Sequence, residues 1–196
     1  MIEILVILLF FGHTTTDWVI QWFHWIMPFP PNDSPTLDQT GNLTMKYQPN
    51  SIVYMLPGEH SAVAPNRHIT IAANKPIMMP VLWFINGTYY SSSVSDESFI
   101  RKANEFFDRQ VPSKLFATLD DKPLPIVNVT TPVFRLNIPK YTAFATEEER
   151  GGDAWVISKG YWVFLNPLSP GNHTLTYVGA THDYVNGATF HLKVLQ

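Results

Sequence analysis

Seven histidines carry most of the chemical potential of this chain, and no thiol competes with them, because the chain has no cysteine. Glu59-His60 and His68 flank a segment containing Pro65, and His182-Asp183 occupies another turn-like segment. If those segments meet at one end of a folded domain, His60, His68 and His182 with a carboxylate form an N/O ligand set for a borderline divalent ion. That arrangement would suit a metal-dependent enzyme. No two histidines stand at the i, i+4 spacing of a helical metal motif. His191 alternates with Phe190 and Leu192 and shares its side with Thr189 and Lys193, so it reads as solvent-facing. Loop and surface histidines without any ligand produce the same pattern. The cofactor expectation is therefore none, with a divalent metal as the alternative.

The remaining side chains narrow the chemistry further. Glu147-Glu148-Glu149 with Asp153 offers oxygen ligands to a hard cation, but lacks the alternating spacing of a calcium loop and reads equally as a solvated acidic loop. No G-x-S-x-G nucleophile elbow occurs, and no Asp/Glu pair sits on a recognisable scaffold for glycoside hydrolysis. Aromatic side chains are the stronger binding signal. Trp83, Tyr89, Tyr90, Trp155 and Trp162 could stack on flat rings or sugars, although most such residues are core. Tyr89 and Tyr90, beside Ser91-Ser92-Ser93 and just past Asn86-Gly87, are the least core-like and are the expected ligand-binding pair.

Such residues need a scaffold, and the local patterns predict one made of strands. Tyr161–Leu165 is an aromatic and β-branched run, Pro167, Pro170 and Gly171 supply a corner, and Leu175 and Tyr177 alternate with Thr174 and Thr176. Further strands are expected at Ser51–Leu56, around Ile69–Ile71, at Pro76–Ile85, Leu115–Leu119, Ile126–Thr130, Pro132–Ile138, Ala154–Ser158 and Ala188–Leu195. Pro76–Ile85 is apolar on both sides, as a strand covered on both faces must be. Asn86-Gly87 should end it in a turn. Leu115–Leu119 and Ile126–Thr130 should form a hairpin. Two short helices are expected. One follows Thr14-Thr15-Thr16-Asp17 and runs to Met27, placing Trp18, Trp22 and Trp25 on one arc. The other opens at Ser95-Asp96-Glu97 and ends at Val111-Pro112. The fold expectation is mainly β: an antiparallel β-sandwich, immunoglobulin-like or jelly-roll-like, with two short helices. Residues 12–196 should form a single domain with a helical insertion near 95–111.

Composition agrees with that plan. With 196 residues and 45% hydrophobic content the chain can build one full core, and sixteen prolines suit many rigid turns. Thirteen Lys plus Arg against sixteen Asp plus Glu leave a net charge of −3 with no basic cluster, which argues against nucleic acid as a partner. Five Asn-x-Ser/Thr triplets, at Asn32, Asn42, Asn86, Asn128 and Asn172, lean toward an exported glycoprotein; a Thr- and Asn-rich turn vocabulary also generates them. Ile4–Phe11 is too short to span a bilayer and fits the core of a signal peptide that has lost its basic start. A buried first strand is the other reading of that segment.

Several motifs then coincide: Asp17-Trp18 followed by Trp22, Trp25 and Pro28; Asp38-x-Thr40-Gly41; Val53-Tyr54-Met55-Leu56-Pro57-Gly58; Ile71 to Pro80; and Gly160-Tyr161-Trp162-Val163 with Leu168-Ser169-Pro170-Gly171-Asn172-His173-Thr174. Across most of residues 12–178 the chain resembles a family of uncharacterised exported β-sandwich proteins of bacteria and archaea. The resemblance implies a mature protein starting near the tryptophan helix after a signal peptide, and an extracellular or cell-envelope location. It transfers no catalytic residue, and the chain departs from it in lacking the paired cysteines common in similar proteins. The functional expectation is a binding or structural role at the envelope, with a glycan or another envelope protein as partner. Peripheral membrane contact through residues 1–27 and a secreted metal-dependent enzyme using the loop histidines are the alternatives.

Overall fold

The computed structural model describes residues 12–49, 52–59, 64–89, 97–144 and 151–196, leaving aside the side chains of residues 88 and 89. The protein is mainly β, with two five-stranded sheets. The first sheet has the order β1 (Tyr54–Met55), β3 (Ile77–Tyr89), β8 (Gly152–Leu165), β6 (Val127–Thr130), with β7 (Phe134–Ile138) also paired to β8. The second runs β2 (Asn66–Ile71), β10 (Val185–Val194), β9 (Gly171–Ala180), β4 (Lys114–Leu119), β5 (Lys122–Pro123). Among the described residues three α-helices accompany them: α1 (Thr15–Ile26), α2 (Asn42–Lys46) and α3 (Glu97–Arg109).

The first sheet is a middle layer. Met79, Val81, Val163 and Leu165 point toward Leu175, Phe190 and Leu192 of the second sheet, forming the core between sheets. The opposite face, with Met78, Ala154, Val156 and Trp162, is covered by α1. Covering on both sides explains why Ile77–Leu82 is buried without alternation, whereas β2 alternates exposed and buried positions as a half-solvated strand does. Helix α3 covers the far end of the first sheet through Phe107 and Ala103, packed with Ile157 and Phe84.

Helix α1 begins at a capping box: Thr14 Oγ1 accepts from the Asp17 amide at 3.2 Å while the Asp17 carboxylate accepts from the Thr14 amide at 2.7 Å. The Thr14 amide, together with the Thr14 hydroxyl that also bonds Asp17 Oδ2 at 2.8 Å, holds the Asp17 carboxyl below its ordinary range. The expected tryptophan face is fully used inside the protein. Trp18, Trp22 and Trp25 are buried, Trp22 Nε1 donates to Leu56 O at 2.9 Å, and Trp25 Nε1 donates to Tyr47 O at 2.6 Å. Residues 1–11 lie outside the described residues. Among the described residues no helix is long and apolar enough to cross a membrane.

The structure departs from the expected elements in five places. Asn86-Gly87 does not turn: β3 continues to Tyr89, with Asn86 opposite Ile157 and Gly87 opposite Val156. Glycine stands there because a Cβ would lie 2.9 Å from Val156 Cγ1. The partner of Leu119 is Lys122, across a tight turn at Asp120 and Asp121, both with positive φ. Pro123 and Pro125 have no N–H to extend that ladder, and Val127–Thr130 pairs with β8 in the other sheet. Ala154–Ser158 and Tyr161–Leu165 are one continuous strand, β8. Two pairings are parallel, β1 with β3 and β2 with β10, so the sheets are not purely antiparallel. A third helix, α2, also appears beyond the two expected.

Candidate functional site

A cleft of about 400 Å³ opens beside β3, where the middle sheet extends past its short neighbour β1. The bulge between Pro80 and Leu82 prepares it. Proline cannot donate to the ladder, the register with β8 shifts there, and the strand beyond delivers Trp83 and Ile85 to the side on which α1 packs and Phe84 to the side on which α3 packs.

Trp83 is the central wall. Its ring meets Trp22 edge-on at 5.5 Å between centroids and Phe23 at 5.4 Å, so it is clamped from the side of α1 while remaining half-exposed toward the cleft, where Phe144, another lining residue, meets it at 5.6 Å. Ile138, Ala154 and Val156 complete the same side, and Met27, just past α1, reaches the lining. Phe106 of α3 and Tyr184 close the other side. Among the described lining residues only Trp83 and Tyr184 carry side-chain N–H or O–H groups, and none is Asp, Glu, His, Lys or Arg. The surface thus suits an uncharged, largely apolar molecule with at most a few polar contacts.

A buried polar knot fixes the Tyr184 wall. Arg67, on the inward side of β2, is fully buried; its Nη2 donates to Glu59 Oε2 at 2.9 Å and to Thr36 O at 2.9 Å, its Nε to Asp38 O at 2.7 Å and its Nη1 to Gly58 O at 3.3 Å. The guanidinium also lies 5.5 Å from the Phe190 ring centroid. Asn186 Oδ1 accepts from the Glu59 amide at 3.2 Å and the Tyr177 hydroxyl at 3.0 Å, and the Tyr184 hydroxyl donates to Glu59 O at 3.1 Å. Burial pushes both phenols above their ordinary range and pulls Arg67 down, against the attraction of Tyr177 and Glu59. Arginine remains charged under such a shift, so the pair acts as a clamp on three chain segments. Sequence reasoning missed Arg67 entirely. The alternation Arg67, Ile69, Ile71 was the available signal, and a charged residue at the first inward position of a strand is easily read as the strand's solvent end.

The predicted site residues fall in different places. His68 is exposed on β2, whereas His182 sits on the β9–β10 turn, 97% exposed and bonded to Asp183 Oδ1 at 2.6 Å. His191 lies opposite His68 in the β2–β10 ladder, and nine residues of chain separate it from His182. The six steps of β10 from Val185 to His191 span about 20 Å at roughly 3.3 Å per residue, and His182 belongs to the turn before Val185. His68 and His182 are therefore not brought together, and His60 lies outside the described residues. Among the described residues no group of three or more His, Cys, Asp or Glu could hold a metal. Glu59, the carboxylate nearest in sequence to the proposed histidines, is committed to Arg67. Glu147–Glu149 lie outside the described residues, and Asp153 bonds Arg135 and Asn137.

Of the candidate aromatics, Trp162 is wholly buried, Trp155 is half-buried and Trp83 lines the cleft. The backbone of Tyr89 ends β3, two residues beyond the cleft residue Gly87; its side chain and Tyr90 lie outside what is described. No family model matches the chain, and no curated protein matches it. A comparison with solved structures finds the solution structure of amebosin, at 11% identity over 71% of this chain and 95% of that one. The TM-score of 0.24 is too low for that likeness to carry an inference.

Proposed function

We propose that this protein is a non-catalytic binding module that holds the apolar part of a small, uncharged ligand in the Trp83 cleft. The carrying observation is the lining itself: about 400 Å³ bounded largely by aromatic and aliphatic side chains, with Trp83 braced from behind by Trp22 and Phe23. That volume lies in the range of ordinary ligand pockets, and a wall already fixed by packing loses little conformational freedom when a ligand arrives.

Operation at the cell envelope or outside the cell is part of the proposal. It is supported by the family resemblance described above and by the acceptor triplets, of which Asn32, Asn42, Asn128 and Asn172 are exposed on the fold and Asn86 is half-buried in β3.

The uncharged fluorophore N-phenyl-1-naphthylamine tests the cleft. Saturable binding of one molecule per chain with enhanced emission is expected. Ile85→Trp, which fills the cleft from a half-buried position, should abolish it, and Trp83→Ala should weaken it by about tenfold, equivalent to roughly 1.4 kcal/mol. Unsaturable binding, or the same affinity in both folded variants, would refute the assignment.

A further inference from the structure

The outward face of the second sheet carries a different constellation. His68 and His191 stand directly opposite each other in the parallel β2–β10 ladder, so both side chains leave the same face of neighbouring strands. Their rings stack with centroids 4.7 Å apart and planes inclined by 20°. They line an open groove of about 610 Å³ together with Asn42, Met45, Asn172 and Thr174.

These two imidazoles differ from the other histidines on this side of the molecule in one respect that matters chemically. His173 has both ring nitrogens engaged, Nδ1 with Asp120 Oδ2 at 2.7 Å and Nε2 with Ser169 O at 2.9 Å. His68 and His191 make no hydrogen bond through their rings among the described residues. Two neighbouring imidazoles with uncommitted nitrogens are a bidentate ligand for a borderline ion. Metal–nitrogen bonds of about 2.0–2.1 Å at a near-tetrahedral or square angle require nitrogens about 3 Å apart. Two rings whose centroids already lie 4.7 Å apart at an open face need only side-chain rotation to reach that separation.

The geometry points to a surface metal site in which His68 and His191 together bind a divalent transition-metal ion. The order of affinities for nitrogen ligands favours Cu²⁺ over Zn²⁺. Water would complete the coordination in the groove, whose lining also includes Asn42, Asn172, Thr174 and Lys193. The site replaces the set expected from sequence. It keeps His68, exchanges His60 and His182 for His191, and arises from strand pairing instead of loop proximity. It is separate from the Trp83 cleft, so either assignment can fail without the other.

Tag-free protein titrated with CuCl₂ or ZnCl₂, followed by calorimetry and, for copper, by electron paramagnetic resonance, tests the proposal. One Cu²⁺ per chain at micromolar affinity is expected, with nitrogen coupling in the spectrum and weaker binding of Zn²⁺. His68→Ala and His191→Ala should each weaken Cu²⁺ binding by about tenfold or more, and His182→Ala should leave it unchanged. Circular dichroism confirms the fold of each variant, and His191→Asn replaces the alanine variant should that one unfold. Undiminished binding in folded His68 and His191 variants, loss of binding in His182→Ala, or no saturable binding by the unmodified protein would overturn it.

Discussion

The two sheets solve the same folding problem with opposite exposures, and their capacity for binding follows from that. The middle sheet is covered on both faces, by α1 on one and by the second sheet and α3 on the other. Its strand β3 is buried without a break from Ile77 to Leu82, and the cavity beside it is lined by apolar groups. The second sheet has one inward and one wet face, with Phe190 and Leu192 inside and His191 outside on consecutive positions of β10. Its groove is accordingly polar and open. A chain that buries one sheet completely offers apolar shape there and donor atoms on the other.

The sharpest way to break this contrast is to remove the aromatic support of the middle sheet. Trp22→Ala should cost about 3–5 kcal/mol in urea unfolding, because it deletes a fully buried ring, opens a cavity among Phe23, Trp83 and Trp162, and leaves Leu56 O without its donor. The matched change on the wet face, His191→Ala, should stay within about 0.5 kcal/mol. Comparable losses at both positions would mean that the outer face is more constrained than its exposure implies.

A smaller effect is expected where the two sheets touch most closely. A Cβ on Gly179 of β9 would lie 2.3 Å from Val81 O and 2.7 Å from Leu82 Cβ, at the β3 bulge. Backbone cannot yield as a flexible side-chain tip does, so Gly179→Ala should destabilise by about 1–3 kcal/mol in the same assay. Gly171→Ala, with open space around it, tests backbone strain alone at its φ of 140° and should cost less. The reverse ranking would show that strain outweighs packing.

The smallest difference is electrostatic and confined to the wet end of the second sheet. Burial opposes charge on His173, but its bonds to Asp120 and Ser169 outweigh burial and raise its pKa above the ordinary 6.5. Burial also opposes ionisation of Asp120, yet the bonds from His173 and the Thr174 amide hold its pKa below 3.8. The histidine contribution is full below pH 6.5 and is lost as pH rises through the raised value; the aspartate contribution is present above pH 3.8 and is lost as pH falls through the lowered one. The pair is therefore most stabilising between those limits. Urea midpoints at pH 5.5 and 8.5 should show Asp120→Asn losing more stability at the acidic value, where His173 is charged, than at the alkaline one, where the Thr174 amide bond to Asp120 remains. An equal deficit at both would remove the charge-based account.

Much of the scaffold could be read locally. Thr14 and Asp17 announce the start of α1, and the 100° spacing of Trp18, Trp22 and Trp25 names its buried face. Alternation around Leu175, Tyr177, Phe190 and Leu192 identifies the inward positions of β9 and β10, all buried as expected. The candidate sites were far less legible. Trp83 stood among five aromatics with nothing in sequence to separate it from Trp162, and their difference comes from where each strand ends relative to its neighbours. Asn86-Gly87 illustrates the same limit, since a glycine chosen for close approach to Val156 has the same letters as one chosen for a turn.

Periodicity and capping act over a few residues, so the amino-acid order by itself determined the tryptophan helix, the mainly β class and where most strands lie, but not where β3 and β8 end. Tertiary structure decided the parallel union of β2 and β10, the burial of Arg67 against Glu59, and the company each histidine keeps. The reason is range: His68 and His191 are 123 positions apart in the chain. Only the register of two strands, set by the inward packing of Ile69, Ile71, Phe190 and Leu192, makes them neighbours.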